Sequence, residues 1–502
     1  MDKNIDVVTD YIDGKCIDSS ERTKYIFNPA TGEVISKVSM GTSDNVNLAV
    51  KSAKEALKEW SKLSPLKRAR FLFKYTELLY QNKECLAKSI SKEHGKVYAD
   101  ALGEVQRGIE VVEFVCGIPE LLKGDMSYQV SSSMDTYSIR QPVGVCVGIT
   151  PFNFPLMVPL WMYPVAIACG NTFVLKPSEK DPSASMLAIK LLHEAGIPKG
   201  VVNIVNGDKE VVDALLHHKD VAAVSFVGST PIAKYIYETA SKNGKRVQAL
   251  GGAKNHCVLM PDANMNDATA GLMGAGFGSA GERCMAISVI VAVGNDTANK
   301  IISSLSSKID ILKVAPGDVD GSEMGPVITK EHKDKIISYI DTGIEQGATL
   351  VKDGRKFTCK GHEKGFFVGP TLFDNVKPSM TIYKEEIFGP VLCIVRVGSL
   401  KEAIALINNN QYGNGTSIYT QDGASARQFS SEIEVGMVGI NVPIPVPMAF
   451  HSFGGWKNSL FGTNGMHGLE GVRFYTKLKT ITTKWDASSY TENNQFFMPT
   501  LQ

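Results

Sequence analysis

Apolar positions recur at helical spacing from about residue 43 to 123, where Ala49, Ala53, Ala56, Leu57 and Trp60 fall on one face of a first helix. Ser64-Pro65 supplies a cap and a first-position proline for a second helix, whose apolar stripe is Leu66, Ala69, Leu72 and Leu79. The basic run Lys67-Arg68-Ala69-Arg70 on that helix reads as a solvated face. Before these helices lies an extended region with a turn at Pro29-Ala30-Thr31-Gly32. Over 124–142 the pattern changes to short alternation around Ser131-Ser132-Ser133, which predicts a two-stranded hairpin; alone in water such a hairpin is marginal, so it must pack on something.

From 143 to about 258, strand-like runs at 143–149, 171–176, 201–205 and 222–227 alternate with helical stretches, the pattern of a parallel sheet with crossover helices. A second alternating series runs from 286 to 446. Within it Ser399-Leu400-Lys401-Glu402 reads as a capping box and Tyr412-Gly413-Asn414-Gly415 as a turn. No repeat of fixed period occurs, and the polar last 15 or so residues are expected to fray.

At 502 residues the chain has room for three domain-sized units, or two large ones with an appendage. Hydrophobic content of 43% and charged content of 21% are those of a soluble globular protein. Lys plus Arg at 53 against Asp plus Glu at 52 leaves no electrostatic footprint for nucleic acid or an anionic membrane, so a small-molecule partner is expected. The longest apolar run, 155–170, is broken by Pro159 and Pro164 and is shorter than the roughly 20 residues that span a bilayer. No signal or transit segment is visible, and a cytoplasmic location is expected. Nine scattered cysteines without Cys-x-x-Cys read as reduced thiols, and neither they nor the histidines have metal-ligand spacing.

One cysteine stands apart. In Gly278-Ser279-Ala280-Gly281-Glu282-Arg283-Cys284-Met285-Ala286 small neighbours open access to sulfur, and Arg283 next to it is expected to raise the thiolate fraction, the form that attacks carbonyl carbon. The same segment is compatible with buried packing. Upstream stand Ile149-Thr150-Pro151-Phe152-Asn153-Phe154-Pro155, Val174-Leu175-Lys176-Pro177-Ser178-Glu179 and Ser225-Phe226-Val227-Gly228-Ser229-Thr230. Downstream stand Glu385-Glu386-Ile387-Phe388-Gly389-Pro390-Val391 and Phe453-Gly454-Gly455-Trp456-Lys457-Asn458-Ser459.

These motifs, in this order around Cys284 and over nearly the whole chain, resemble the aldehyde dehydrogenase superfamily. The resemblance implies an α/β fold of two Rossmann-type domains plus a small β oligomerisation arm. The NAD-binding domain is expected at 1–123 and 143–256, the catalytic domain at 257–450, and the arm at 124–142 and 470–502. A homotetramer built as a dimer of dimers is implied with it.

No Gly-x-Gly-x-x-Gly follows the early strands, so the usual dinucleotide fingerprint is absent. In the family pattern Lys176 and Glu179 contact the adenosine ribose instead. A carboxylate there accepts from both ribose hydroxyls and repels a 2'-phosphate, which favours NAD over NADP. Gly228-Ser229, between a strand and a helix starting near Pro231, offers amides and a helix dipole to pyrophosphate. Gly207 caps an earlier turn in a similar place and is equally readable as a plain turn glycine. Glu386, with Phe388 beside it, matches the residue that holds the nicotinamide ribose. Thr150 and Phe152 of the first motif complete the implied cofactor set.

The resemblance makes Cys284 the nucleophile, and the Asn153 side-chain amide with the Cys284 N–H the oxyanion hole. One departure matters. Hydrolytic members carry a water-activating glutamate in Glu-Leu-Gly-Gly-Lys, and aligning on Lys254-Asn255 puts Leu250 at its place. A leucine cannot deprotonate water, whereas a thiol acceptor such as coenzyme A needs much less help. With Gly252-Ala253-Lys254-Asn255-His256, the chain looks like the CoA-acylating methylmalonate-semialdehyde dehydrogenase branch, although that branch usually has asparagine and methionine where Leu250 and Gly251 stand. It implies NAD-dependent oxidation of malonate or methylmalonate semialdehyde to acetyl- or propionyl-CoA with loss of CO2. Arg283 and Arg107 would hold the substrate carboxylate. Arg107 is alternatively one half of an ion pair with Glu104 or Glu110. A hydrolytic enzyme with another base and a non-catalytic relative are the rival readings.

Overall fold

The computed structural model describes residues 5–17 and 22–485. Its centre is two sheets. The first has eight strands in the order Leu460–Gly462, Arg246–Leu250, Val221–Val227, Val145–Ile149, Thr172–Lys176, Val202–Ile204, Asp10–Ile12 and Lys15–Ile17. Its middle five are parallel, and they are buried runs of Val, Ile, Ala and Phe, as strands covered on both faces must be. The second has seven strands, Thr349–Lys352, Thr371–Asp374, Val391–Val397, Ile287–Val293, Asn255–Leu259, Gly415–Tyr419 and Met437–Ile440, all parallel except the first pair. The chain passes from one sheet to the other between Leu250 and Asn255.

Five helices cover 43–121, as the 3.6-residue period predicts. The helix Ser43–Trp60 buries Val46, Ala49, Val50, Ala53 and Trp60. The helix Pro65–Gln81 is capped by Ser64, but its stripe differs from expectation: Leu66 is exposed and Tyr75 is buried. Arg68 also departs from a solvated face. It is 4% exposed and gives Nε–H to the carbonyl of Ala168 at 2.8 Å and a second N–H to Leu63. A guanidinium with five donors can be buried where otherwise unpaired carbonyls converge at the end of the Met157–Ala168 helix.

Two local readings need correction. The Ser399 side chain accepts from Glu402 N–H, but the Glu402 carboxylate accepts from Gly398, so only half of the capping box forms. Tyr412-Gly413-Asn414-Gly415 is not a free turn: Tyr412–Gly413 pairs with Trp456–Lys457, and Gly415 begins a core strand. The expected hairpin, Met126–Ser131 with Met134–Pro142, gains a third strand, Thr476–Lys484, paired along its whole length with Met134–Pro142. This small sheet leaves Met126, Tyr128, Leu478 and Trp485 exposed. The expected arm continues beyond 485, outside the described residues. Among the described residues no helix is long and apolar enough to cross a membrane, and no group of three His, Cys, Asp or Glu could hold a metal ion.

Candidate active site

The parallel core of the first sheet starts at Val145–Ile149, adds two strands on one side and then two on the other, so the winding direction reverses beside that strand. The carboxyl ends at such a reversal form a crevice that suits a ligand. Thr150, Phe152 and Asn153 follow Ile149; Glu179 follows Lys176; Gly207 follows Ile204; Gly228 and Ser229 follow Val227. All the cofactor residues expected in this half of the chain therefore lie along one sheet edge.

Their local chemistry fits a dinucleotide. Lys176 Nζ lies 3.1 Å from Glu179, and Lys24 Nζ lies 3.2 Å from its other oxygen. Burial works against the Glu179 charge, but these ammonium groups outweigh it and hold the carboxyl at about 2, ionised and ready to accept from hydroxyls. Lys24 comes from a strand 155 residues earlier, a separation that no local motif reveals. The helix Thr230–Lys242 begins at Ser229 without a side-chain cap, which leaves its first amides for an anion. Gly207, at φ +156°, sits against Val211 in the next helix.

The second sheet presents its opposite edge. Cys284 precedes Ile287–Val293, Glu386 and Phe388 precede Val391–Val397, Asn255 opens Asn255–Leu259, and Asn414 precedes Gly415–Tyr419. These four strands are neighbours, so the loops before them converge. Cys284, Arg283, Glu386 and Phe388 line one small cavity. The two edges meet there: the rings of Phe152 and Phe388 are 5.9 Å apart, and Ala253 N–H donates to Glu386 at 2.9 Å. A Cβ on Gly252 would lie 2.4 Å from the Glu386 carboxylate, so any side chain there would displace that carboxylate.

Cys284 is anchored through its backbone. The Cys284 carbonyl accepts from the amides of Asn255 at 2.9 Å and Asn414 at 3.0 Å. Ser279 and Ala280 take φ near +50° without being glycines, strain held by the packing of the following turn. Gly281 at φ +73° lets that turn press on Gly389, where a Cβ would come within 2.3 Å of the carbonyl. Lys254 donates to the carbonyls of Ile382 and Glu385 and so fixes the segment that carries Glu386. None of these three positioning roles is legible in the sequence, although Asn255, Lys254 and Asn414 all stand in quoted motifs.

Arg283 does not activate the thiol. Its guanidinium turns to Asp100 on the Tyr98–Cys116 helix and contacts both carboxylate oxygens, with a further N–H 3.4 Å from the Gly274 carbonyl. Burial, and then the Glu386 charge, push the Cys284 thiol up to about 12; Arg283 and the amides of Cys284 and Met285 only partly oppose this. The expected thiolate is thus a thiol in the protein alone, because burial and the Glu386 charge outweigh the help of an Arg283 already paired with Asp100. Burial likewise pushes Glu386 up to about 7. In the cofactor-free protein, iodoacetamide alkylation of Cys284, followed by peptide mass spectrometry, is expected to keep accelerating with pH through 9.5. Glu386→Gln, which removes the like charge, is expected to accelerate it at pH 8. A rate that levels off below pH 8 contradicts this electrostatic picture.

Arg107 forms an ion pair with Glu110 at 2.7 Å and also donates to the Pro447 carbonyl. Glu104 is engaged elsewhere, by Lys96. Asp100 and Arg107 are two turns apart on one helix face, separated by about 10 Å of helix rise, and Arg107, unlike Arg283, does not line the cavity of Cys284. Asn153 is 3% exposed in the loop after Ile149, and its carboxamide has no hydrogen bond to another described residue. Leu250 is 2% exposed, its side chain packed in the core.

Glu282, two residues before Cys284, is fully buried. It accepts from Ile328 N–H at 3.2 Å, with His332 at 3.5 Å and His94 at 3.8 Å. Burial pushes its carboxyl up to about 8. A group that holds its proton more tightly when folded stabilises below its unfolded pKa, about 4.3, and loses that contribution as pH rises through the folded value. Wild type is therefore expected to lose thermal stability relative to Glu282→Gln between pH 5 and 9. A constant Tm difference across that range would show that Glu282 does not titrate there.

Residues 16–481 match the aldehyde dehydrogenase family model. A malonate-semialdehyde dehydrogenase of Pseudomonas aeruginosa is 56% identical over 98% of this chain and 99% of its own. Among solved structures, a methylmalonate-semialdehyde dehydrogenase of Oceanimonas doudoroffii is 55% identical with TM-score 0.95, covering 96% of this chain and 99% of its own. A Sinorhizobium meliloti protein assigned the same activity, crystallised in complex with NAD, is 53% identical with TM-score 0.95, covering 97% and 99%.

Proposed function

The chain belongs to the aldehyde dehydrogenase family, and from that premise we propose that it oxidises malonate or methylmalonate semialdehyde with NAD and passes the acyl group to coenzyme A with loss of CO2. Leu250 carries this reading: where hydrolytic relatives activate water, this chain has a buried hydrocarbon. The similarity to semialdehyde dehydrogenases supports the substrate class.

In the reaction, Cys284 sulfur attacks the aldehyde carbon and its proton leaves, with Glu386, the carboxyl sharing the cavity, able to accept it at a pKa of about 7. The Asn153 carboxamide and the Cys284 N–H stabilise the oxyanion. NAD, when bound, supplies the hydride acceptor. Its ribose and pyrophosphate fall to Lys176, Glu179, Ser229 and the backbone at Gly228, with Thr150, Phe152, Gly207, Glu386 and Phe388 around them. Arg107 and Arg283 are the candidates to orient the substrate carboxylate, each by sharing or exchanging its present partner, Glu110 or Asp100. The thioester β to that carboxylate makes loss of CO2 chemically accessible, and CoA sulfur then takes the acyl group from Cys284. In the assembly, the three-stranded arm and its exposed apolar residues suit pairing with another subunit in a dimer of dimers within the cytoplasm.

With malonate semialdehyde, NAD and CoA, the expected products are acetyl-CoA, CO2 and NADH, read by mass spectrometry. Recovery of malonate as the main product would sink the proposal. One observation keeps a hydrolytic reading in play: Glu386 faces the cavity of Cys284 with a near-neutral pKa, the right value for a water-activating base.

A further inference from the structure

A buried ion pair lies outside the reacting groups but touches the loop that carries one of them. Lys96 is 1% exposed and Glu104 is 3% exposed, and Lys96 Nζ is 2.7 Å from Glu104. Burying two charges costs more than their attraction returns unless further hydrogen bonds satisfy them, so a bare pair of this kind is poor evidence of a stabilising role. Here every further contact goes to one short segment. Lys96 Nζ donates to the backbone carbonyl of Asn153 at 2.6 Å and lies 4.4 Å from the centre of the Phe154 ring. The other Glu104 oxygen accepts from the N–H groups of Leu156 and Met157 at 2.9 and 3.2 Å, at the start of the next helix. The pair therefore grips the loop 153–157 at both ends.

The grip has a fixed origin. Glu104 lies on the Tyr98–Cys116 helix one turn beyond Asp100, which holds Arg283 beside the nucleophile. One rigid helix thus references both the loop of the oxyanion donor and the residue next to Cys284. Oxyanion donors act only when preset to within a fraction of an ångström of the developing charge, and a displacement of 1 Å can cost about 10²-fold.

The geometry points to Lys96 and Glu104 as positioning residues that set the Asn153 carboxamide for the oxyanion. This rests on the reading of Asn153 as oxyanion donor. It applies to acylation and so is independent of whether the acyl group later goes to CoA or to water.

The test is the rate of the first-turnover NADH burst when NAD and methylmalonate semialdehyde are mixed with enzyme in excess over the semialdehyde and without CoA, which reads acylation whichever acceptor follows. Lys96→Met with Glu104→Gln keeps the pair neutral and still offers an acceptor to the Leu156 and Met157 amides, so the fold is kept; circular dichroism and Tm check this. The burst is expected to slow about 10- to 100-fold, while iodoacetamide alkylation of Cys284 stays within about twofold of wild type. In an Asn153→Ala background the same pair of changes is expected to cost almost nothing more, because the group it sets is gone. Lys96→Arg, which keeps the charge, should recover part of the rate. An unchanged burst in the paired variant, or an equal loss with and without Asn153, overturns the inference. If instead Asn153→Ala alone leaves the burst unchanged, the oxyanion reading itself fails, a separable outcome.

Discussion

Cys284→Ala is expected to lower NADH formation from either semialdehyde by at least about 10⁴-fold, the scale on which removal of a covalent nucleophile acts. The other eight cysteines cannot replace it. Six of them are buried, Cys16 and Cys85 are exposed on the surface, and none lines the cavity with Glu386 and Phe388. The variant should fold and bind NAD as wild type does, since sulfur makes no structural hydrogen bond to another side chain and the Cys284 carbonyl keeps its partners Asn255 and Asn414. Steady-state NADH absorbance, with NAD binding by fluorescence as the control, checks this. Activity within tenfold of wild type would move the chemistry elsewhere.

Asn153→Ala is expected to lower kcat by about 10²- to 10³-fold, the cost of one oxyanion-hole donor. The loss should fall on the burst as well as on turnover, because the oxyanion forms before hydride leaves. The KM for NAD should move little, since the proposed ribose and pyrophosphate contacts, Lys176, Glu179, Gly228 and Ser229, lie at the ends of other strands. A less than threefold change would mean that the backbone N–H of Cys284 suffices alone, or that another donor faces the oxygen.

Much of the fold is legible because burial imposes a period. The runs 143–149, 171–176 and 222–227 are mostly apolar, as strands covered on both faces must be, and they stand within two residues of Val145–Ile149, Thr172–Lys176 and Val221–Val227. The placement of Thr150, Glu179, Gly207 and Ser229 at one sheet edge follows from that alternation. What cannot be read is side-chain pairing across long separations. Asp100 neutralises Arg283 from 183 residues away, so a guanidinium next to a cysteine in sequence is no guide to thiolate character. Asn414 reaches Cys284 across 130 residues, and the Lys96 grip on Asn153 spans 57. Arg68 misleads for a related reason: a charge run looks solvated until the carbonyls it caps are known. The local capping box at 399–402 fails by a single hydrogen bond, because Gly398 offers Glu402 a competing donor.

The central claim is that the acyl group on Cys284 leaves to a thiol and not to water. The direct measurement is the number of NADH molecules formed per enzyme active site from methylmalonate semialdehyde and NAD, first without CoA and then after its addition. The account predicts close to one NADH per site without CoA, then sustained turnover with propionyl-CoA as product once CoA is added. Many turnovers without CoA, abolished by Glu386→Gln, would contradict it and make Glu386 the water-activating base of a hydrolytic enzyme.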